Sequence, residues 1–421
     1  MKQELILIRV TGEDRPGLTA AFMAIMAKYE VDILDIGQAD IHSTLSLGIL
    51  VRTEERVSGH VMKEVLFKAN ELGVTVGFSP IEAQEYDEWV NAQGKNRFIL
   101  TVLARHLNAR QMEAVSRLVA EEGMNIDGIR RLTGRVPRLR SEDELVRACV
   151  EFSLRGTPRS REEMQSQLLR LSSEMDMDCS LQEDDMYRRT RRLICFDMDS
   201  TLIQAECIDE LAECAGVGQQ VKDITERAMR GEMDFTESFR QRVALLKGLD
   251  ASVMEQIAER LPLTEGVERL MYVLKRYGYK IAILSGGFTY FGHHLAKRFG
   301  IDYVYANELE VDAEGRLTGR YLGEVVDGRR KAELLRLIAQ VEKVDLAQTI
   351  AVGDGANDLP MISAAGLGIA FHAKPRVKEN AKQSISTTGI DGVLYFLGFK
   401  DSYLDEPRAT EHTLSFSTSL S

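Results

Sequence analysis

Apolar and polar positions alternate in a regular order along the first part of the chain. Short apolar runs typical of strands are separated by longer stretches whose apolar residues recur at helical spacing. The order is strand, helix, strand, strand, helix, strand, with elements at residues 5–10, 18–29, 33–41, 45–51, 58–72 and 74–78. A βαββαβ order predicts a four-stranded antiparallel sheet with both helices on one face, and hence a small α+β domain over residues 1–85.

A similar order of elements recurs after a linker at residues 83–95. Strands are predicted at residues 97–104, 126–132 and 149–154, and helices at 112–122 and 161–175. The copies share this order but not their residues, and a loop rich in arginine, proline and acidic residues, 134–143, interrupts the second. We expect a second, divergent α+β domain over residues 96–184.

The region from residue 190 to 400 alternates strongly apolar runs with helical patterns. The apolar runs lie at residues 193–196, 281–284, 349–352 and 367–371. This alternation predicts a Rossmann-like, doubly wound parallel sheet of the α/β class, with helices on both faces. Residues 208–262 contain helical patterns only, which indicates an inserted helical cap. Residues 402–421 are polar and rich in serine and threonine, which is typical of a disordered tail.

Composition and charge narrow the possible functions. The chain has 421 residues and a net charge of -12, and an acidic surface argues against nucleic acid as a partner. Its five cysteines are odd in number and form no Cys-x-x-Cys pair, which favours reduced thiols in the cytoplasm. No run of about 18 apolar residues occurs, so neither a membrane span nor a signal peptide is expected.

Two aspartates follow the first apolar run of the third region. Asp197 and Asp199 come directly after the predicted strand 193–196. Ligands of open α/β sheets bind at the carboxyl ends of strands, so both carboxylates are candidates for chemistry. The structural alternative is that an aspartate at this position only caps the following helix.

Further polar groups follow the other predicted strands. Ser285–Gly287 comes after the run 281–284, where a hydroxyl and free backbone N–H groups can hold phosphate oxygens. Gly353–Asp358 comes after the run 349–352 and adds carboxylates on a tight, glycine-containing turn. Lys331 lies between these segments, at the start of a helical pattern. Together these positions predict a phosphate site at one edge of the sheet.

These motifs carry a resemblance to a known group of enzymes. Residues 191–400 resemble the haloacid dehalogenase superfamily of phosphatases, with Asp197–Thr201, Ser285, Lys331 and Gly353–Asp358 matching its four motifs. Within the superfamily the region is similar to the phosphoserine phosphatase family. That similarity rests on Glu206, on the stretch Phe235–Arg242 and on Ser285–Phe288.

The resemblance implies an Mg²⁺-dependent reaction through an aspartyl-phosphate. It assigns the metal to the Asp197 carboxylate, the Asp199 backbone carbonyl and Asp354, in keeping with the preference of Mg²⁺ for oxygen ligands. Asp197 is then the nucleophile, and Asp199 the general acid and base. The other assigned residues bind the phosphoryl group or orient the groups that do, namely Ser285, Gly286, Gly287, Lys331, Asn357 and Asp358.

The cap is expected to select the substrate. O-phospho-L-serine carries an ammonium and a carboxylate, for which Glu206 and Arg242 supply the opposite charges, while Phe235 closes the apolar side. The resemblance implies hydrolysis to L-serine and phosphate, the last step of serine biosynthesis. Two alternatives stay open: transfer of the phosphoryl group to another alcohol such as homoserine, and a non-catalytic amino-acid sensor on a phosphatase scaffold.

The turn after the first strand resembles the ACT domain, a regulatory amino-acid-binding fold. In the stretch Gly12–Thr19, Asp14 could hold a ligand ammonium and the Gly17 turn could accept its carboxylate. In the alternative, proline and glycine only shape the entry to the helix. The second copy has Arg105–Ala109 at the comparable turn, which departs from the motif. We expect an L-serine effector site in the first copy and a homodimer.

Overall fold

The structure, a computed structural model, describes residues 2–91, 96–135 and 146–404. The chain divides into two units, Met1–Lys95 and Asn96–Ser421, and each is described by itself. Most of the predicted loop 134–143 and of the predicted disordered tail 402–421 lies outside the described residues. Within the described ranges, no helix has the length and apolar character needed to cross a membrane.

The first unit is the predicted βαββαβ domain. Its antiparallel sheet has the order β2-β3-β1-β4. Along β1 the buried residues Ile6, Ile8 and Val10 alternate with more exposed ones, and they form one core with residues of both long helices. Helix α3 occupies most of the segment predicted as a linker. The elements are β1 (Gln3–Glu13), α1 (Leu18–Lys28), β2 (Asp32–Ile41), β3 (Thr44–Glu54), α2 (Glu55–Leu72), β4 (Thr75–Ile81) and α3 (Ala83–Asn91).

The second unit begins with a sheet of the same order, β6-β7-β5-β8. Its elements are β5 (Arg97–Ala104), α4 (Ala109–Glu121), β6 (Asn125–Arg131), β7 (Ala148–Arg155), α5 (Arg161–Glu174), β8 (Asp178–Glu183) and the short helix α6 (Met186–Arg189). All residues of β5 except Arg97 are buried. One face packs on α4 and α5, while Leu103 and Cys149 on the other face join the core of the following region. Both faces of this sheet are therefore covered.

The rest of the second unit is built on a seven-stranded sheet. Its order is β12-β11-β10-β9-β13-β14-β15, and only β12 runs antiparallel to its neighbour. The strands are β9 (Leu193–Phe196), β10 (Lys280–Phe288), β11 (Tyr303–Val311), β12 (Leu317–Leu322), β13 (Thr349–Gly353), β14 (Leu367–Phe371) and β15 (Ser384–Ile385). The predicted α/β fold class is confirmed, and β11, β12 and β15 extend the four predicted strands.

Helices cover this sheet and form the cap. The cap contains α7 (Cys207–Cys214), α8 (Gly218–Met229), α9 (Phe235–Ala244) and α10 (Val253–Arg260). The sheet is flanked by α11 (Val267–Arg276), α12 (Thr289–Phe299), α13 (Gly328–Val341), α14 (Leu359–Ala364), α15 (Pro375–Asn380) and α16 (Gly392–Phe396). Strand order reverses direction at β9, between β10 and β13, and such switch points open a crevice at the carboxyl ends of the strands.

Candidate active site

The loop after β9 presents both predicted aspartates at the switch point. The Asp197 backbone N–H donates to the Val352 carbonyl (2.9 Å), which extends the pairing of β9 with β13. The Met198 carbonyl then accepts from the N–H groups of Thr201, Leu202 (2.8 Å) and Ile203, so the chain turns tightly. Ser200 has φ +56°, a left-handed conformation uncommon for a residue with a side chain and often found at functional sites.

Lys331 lies at the centre of the site without any exposure to solvent. Its Nζ is 2.9 Å from Asp197 Oδ1 and 2.6 Å from Asp358 Oδ1. Burial alone would lower the pKa of Lys331, but the charges of Asp197 and Asp358 outweigh it and raise that pKa. Asp358 also accepts from the Gly355 N–H through its second oxygen (2.9 Å). The lysine is thus a fixed cation beside the proposed nucleophile.

Three carboxylates converge beside this lysine. Oxygen atoms of Asp197, Asp354 and Asp358 lie within 4.8 Å of one another. Thr201 donates to Asp354 Oδ1 (3.2 Å), yet burial and then Asp197 raise the pKa of Asp354 to about 7. Crowded, partly desolvated carboxylates of this kind fit a divalent cation. Both oxygens of Asp358 already accept hydrogen bonds, which leaves Asp197 and Asp354 as the better side-chain ligands.

The turn at the end of β10 is shaped to receive a phosphoryl group. Ser285 is fully buried, and its Oγ accepts from the Gly287 N–H (2.9 Å). A Cβ on Gly287 would lie 2.7 Å from Asp199 Oδ2, and one on Gly286 would lie 3.0 Å from the Phe235 ring. Only glycine at these positions lets Asp199 and the Phe235 ring approach the turn so closely.

Asn307 supports this turn and was not predicted from the sequence. It is 1% exposed, and its Nδ2 donates to the carbonyls of Gly286 (2.8 Å) and Gly287 (3.2 Å). Its Oδ1 accepts from the Val326 N–H (2.9 Å), so the buried amide is satisfied on both sides. The residue lies in β11, and the apolar start of that strand, Tyr303–Ala306, was the available indication of it in the sequence. Asn307 therefore fixes the orientation of the peptide groups in the turn.

Asp199 lies in surroundings that favour its protonated form. Burial and then the nearby Glu206 charge raise its pKa well above the usual range of an aspartate. Among the described residues, none forms a hydrogen bond with its Oδ1, which is buried. A raised pKa favours the protonated carboxylic acid, which is the form that can donate a proton to a leaving group.

The cap places opposite charges above the turn. Glu206 is exposed and accepts from Ser200 Oγ (2.7 Å), while desolvation raises the pKa of its carboxyl. Burial lowers the pKa of Arg242, whereas the charges of Glu206 and Asp209 oppose that shift. Phe235 stacks on Phe239, with ring centroids 6.2 Å apart. The cap therefore brings an acidic side chain, an arginine and an aromatic ring to the region of the phosphate turn.

The remaining predicted site residues, Asn357 in the second unit and Asp14 and Gly17 in the first, lie at turns. The Asn357 main chain packs against the start of α13, since a Cβ on Gly328 would lie 2.6 Å from the Asn357 carbonyl oxygen. In the first unit, Asp14 is exposed and donates its backbone N–H to the Ser43 carbonyl (2.7 Å). Gly17, with φ +93°, precedes helix α1 and provides no side-chain cap.

Comparison with known proteins agrees with this architecture. Residues 191–366 match the haloacid dehalogenase-like hydrolase family, and residues 4–79 match an ACT domain family. The chain is 38% identical over 400 residues to the phosphoserine phosphatase of Streptomyces coelicolor, covering 93% of this chain and 92% of that protein. It is 39% identical to that of Mycobacterium tuberculosis, covering 93% of each.

A solved structure shows the same relationship. The unliganded probable phosphoserine phosphatase of Vibrio cholerae is 37% identical, with a TM-score of 0.55 over 71% of this chain and 86% of that one. High coverage in both directions means that the likeness extends beyond the phosphatase region into the N-terminal part of the chain. The chain therefore belongs to the phosphoserine phosphatase family of haloacid dehalogenase-like hydrolases, with an ACT domain at residues 4–79.

Proposed function

We propose that this chain is a cytoplasmic, Mg²⁺-dependent phosphatase that hydrolyses O-phospho-L-serine to L-serine and phosphate. The observation that carries the proposal is the fully buried Lys331, held between Asp197 (2.9 Å) and Asp358 (2.6 Å) beside a third carboxylate. Such a constellation neutralises a phosphoryl group next to a nucleophilic oxygen. The names of the relatives from Streptomyces and Mycobacterium support the choice of substrate.

The chain's own residues account for both halves of the reaction. An Asp197 oxygen attacks phosphorus while Asp199 gives its proton to the leaving serine oxygen, which yields L-serine and an aspartyl-phosphate. Asp199, now a carboxylate, takes a proton from water as that water attacks phosphorus. The P–O bond to Asp197 then breaks, and phosphate leaves. Ser285 and Lys331 hold the phosphoryl oxygens through both steps.

The acidic cluster is the proposed Mg²⁺ site. Asp197 and Asp354 would hold the ion through their carboxylates and Asp199 through its backbone carbonyl, while Asp358 keeps Lys331 in place. When bound, the ion neutralises charge on the phosphoryl oxygens. Asn357, beside the start of α13, would orient groups around this centre.

Recognition of the amino-acid end is assigned to the cap. The ammonium of the substrate would bind Glu206 and its carboxylate would bind Arg242, under the Phe235 ring. Because Phe235 lies against Gly286, the same cap position that binds the substrate also covers the phosphate turn. A substrate that fills the cleft thus excludes water from the reacting atoms.

Two substrates that differ in one group test this assignment. For Arg242→Met we expect kcat/KM for O-phospho-L-serine to fall about 100-fold, because a charged hydrogen-bonded partner is lost. O-phosphoethanolamine, which lacks the carboxylate, should be hydrolysed at a nearly unchanged rate. Arg240→Met, an exposed change on the same helix, is the matched control. Phosphate release is measured with Mg²⁺ and with excess chelator, which should stop it.

Equal losses for both substrates would contradict the role of Arg242, and activity in chelator would contradict the metal site. The same assay with added homoserine addresses the phosphotransferase alternative. A phosphorylated alcohol formed at the expense of free phosphate would favour transfer over hydrolysis. Absence of turnover on every substrate would favour the amino-acid sensor.

The ACT domain is proposed to bind L-serine as an effector in a homodimer. Asp14 is exposed beside the uncapped start of α1, where an ammonium and a carboxylate can both find partners. Strand β2 lies at the edge of the described sheet and exposes Ile36 and Ile41, which supports pairing with a second copy. A ligand that favours one dimer arrangement would change activity.

For Asp14→Ala we expect L-serine to bind at least about tenfold more weakly at the first domain, because a charged hydrogen bond is lost. Titration calorimetry measures the binding, with sedimentation to follow the dimer. Asp40→Ala, an exposed aspartate in the same sheet, should bind normally. Unchanged binding in Asp14→Ala would place the L-serine at the active site as a competing product.

A further inference from the structure

The turn after β5 in the second ACT-like domain is occupied by a contact with the phosphatase region. This turn corresponds in position to Asp14–Gly17 of the first domain, since both turns follow the first strand of their domain and precede its first helix. Arg105 Nη1 and Nη2 donate to the two carboxylate oxygens of Glu265, at 2.7 and 2.5 Å. Its Nε donates to the Thr387 carbonyl (2.9 Å). The guanidinium thus uses all its nitrogens on the phosphatase.

Glu265 belongs to the segment through which the cap returns to the sheet. The segments that leave and enter the cap pair with each other: the Gln204 N–H donates to the Pro262 carbonyl (2.8 Å) and the Thr264 N–H to the Leu202 carbonyl (3.0 Å). The Glu265 carbonyl accepts from the Ile390 N–H (2.8 Å). A displacement of Glu265 would therefore be transmitted through these hydrogen bonds to both chain segments that join the cap to the sheet. One of these segments continues directly into Glu206.

A second residue of the ACT-like domain, Asp178, binds the same segment of the phosphatase region as Arg105, at Thr387. Asp178, fully buried at the start of β8, accepts from the N–H groups of Ser386 (2.7 Å) and Thr387 (3.0 Å). Thr387 is therefore bound through its N–H by Asp178 and through its carbonyl by Arg105. Arg105 therefore binds both the return segment of the cap, at Glu265, and Thr387, whose position Asp178 also fixes.

We propose that Arg105 is a positioning residue for the phosphatase reaction: it holds Glu265 and thereby sets the position of the cap over the phosphate turn. Where the first domain has its proposed effector turn, the second ACT-like domain has a turn that docks on the phosphatase region. This inference rests on the proposed function, because its effect appears in the binding of the amino-acid end of the substrate. Residues that contact the phosphoryl group are untouched by it.

The test compares a substrate that needs the cap with one that does not. For Arg105→Ala in the full chain we expect KM for O-phospho-L-serine to rise about fivefold or more, with kcat changed less, because binding by the cap is weakened. Hydrolysis of p-nitrophenyl phosphate, which has no amino-acid end, should change by less than about twofold. Glu265→Ala should reproduce the effect, and the double variant should add nothing further.

Arg155→Ala is the matched control, since Arg155 pairs with Asp127 (3.1 Å) inside the same domain at similar exposure. It should leave both substrates unaffected. Equal losses on both substrates, or additive losses in the double variant, would overturn the proposal and leave Arg105 as a purely structural contact. Wild-type turnover of O-phospho-L-serine in the same assay separates that outcome from a failure of the proposed function. Thermal melting of each variant shows whether the fold is kept.

Discussion

Asp197→Asn is expected to reduce turnover of O-phospho-L-serine by about 10⁴-fold or more, because an amide cannot attack phosphorus as a carboxylate does. The substitution is nearly isosteric, and Lys331 keeps its 2.6 Å contact with Asp358. The fold should therefore survive. Phosphate release gives the rate, and circular dichroism with thermal melting checks the fold.

A covalent readout makes the same prediction sharper. Rapid acid quenching followed by mass spectrometry should detect a phosphorylated peptide containing residue 197 in the wild type and none in the variant. Asp223→Asn, an exposed aspartate of the cap helix α8, should behave as the wild type. Turnover that persists in Asp197→Asn, or phosphate found on another residue, would disprove the nucleophile.

The second large effect is a loss of stability of the phosphatase region when the residues before it are removed. Removal of residues 1–185 should destabilise the phosphatase region by about 5 kcal/mol or more, since several fully buried apolar side chains lose their cover. Leu103, Leu132 and Cys149 belong to the same apolar core as the sheet and cap. The cut also deprives the Ser386 and Thr387 N–H groups of Asp178.

Removal of residues 1–95 is the matched comparison, because the chain divides into its two units at that point. Residues 96–421 should unfold in a single transition at a denaturant concentration near that of the second unit in the full chain. Residues 186–421 should unfold at a clearly lower concentration or aggregate. Equal midpoints for the two truncated chains would show that the four-stranded domain of β5–β8 does not support the phosphatase fold.

The sheet was predictable to the extent that its strands are buried on both faces. Strands β9, β10, β13 and β14 contain the predicted, mostly apolar runs 193–196, 281–284, 349–352 and 367–371, and such runs are readily detected. Strand β11 is mostly half-exposed and has acidic residues in its second half, and β15 has only two residues, so neither is apolar and buried along a whole strand. The loss of β11 from the prediction also hid Asn307, because a single asparagine has no recognisable function until its strand is placed beside the phosphate turn.

Motif spacing carried the candidate site because a parallel sheet brings the carboxyl ends of its strands to one edge. The aspartates after β9, the glycines near the end of β10 and Asp354 after β13 therefore had to lie near one another once the strands were recognised. The ion pair of Lys331 with Asp197 joins positions on a helix and a loop, and its geometry depends on how α13 packs. The sequence identified Lys331 as a site residue, but it could not give the distances from Lys331 to Asp197 and Asp358.

By itself, the sequence determined the kinds of fold and the chemistry at the strand ends, since periodicity and motif residues are local properties. The tertiary structure alone decided which surfaces meet. Arg105 and Glu265 are separated by 160 positions, and nothing in the pattern around either residue indicates the other. Docking of one domain on another depends on matching shapes and charges of surfaces assembled from distant segments, and those surfaces exist only after each domain has folded.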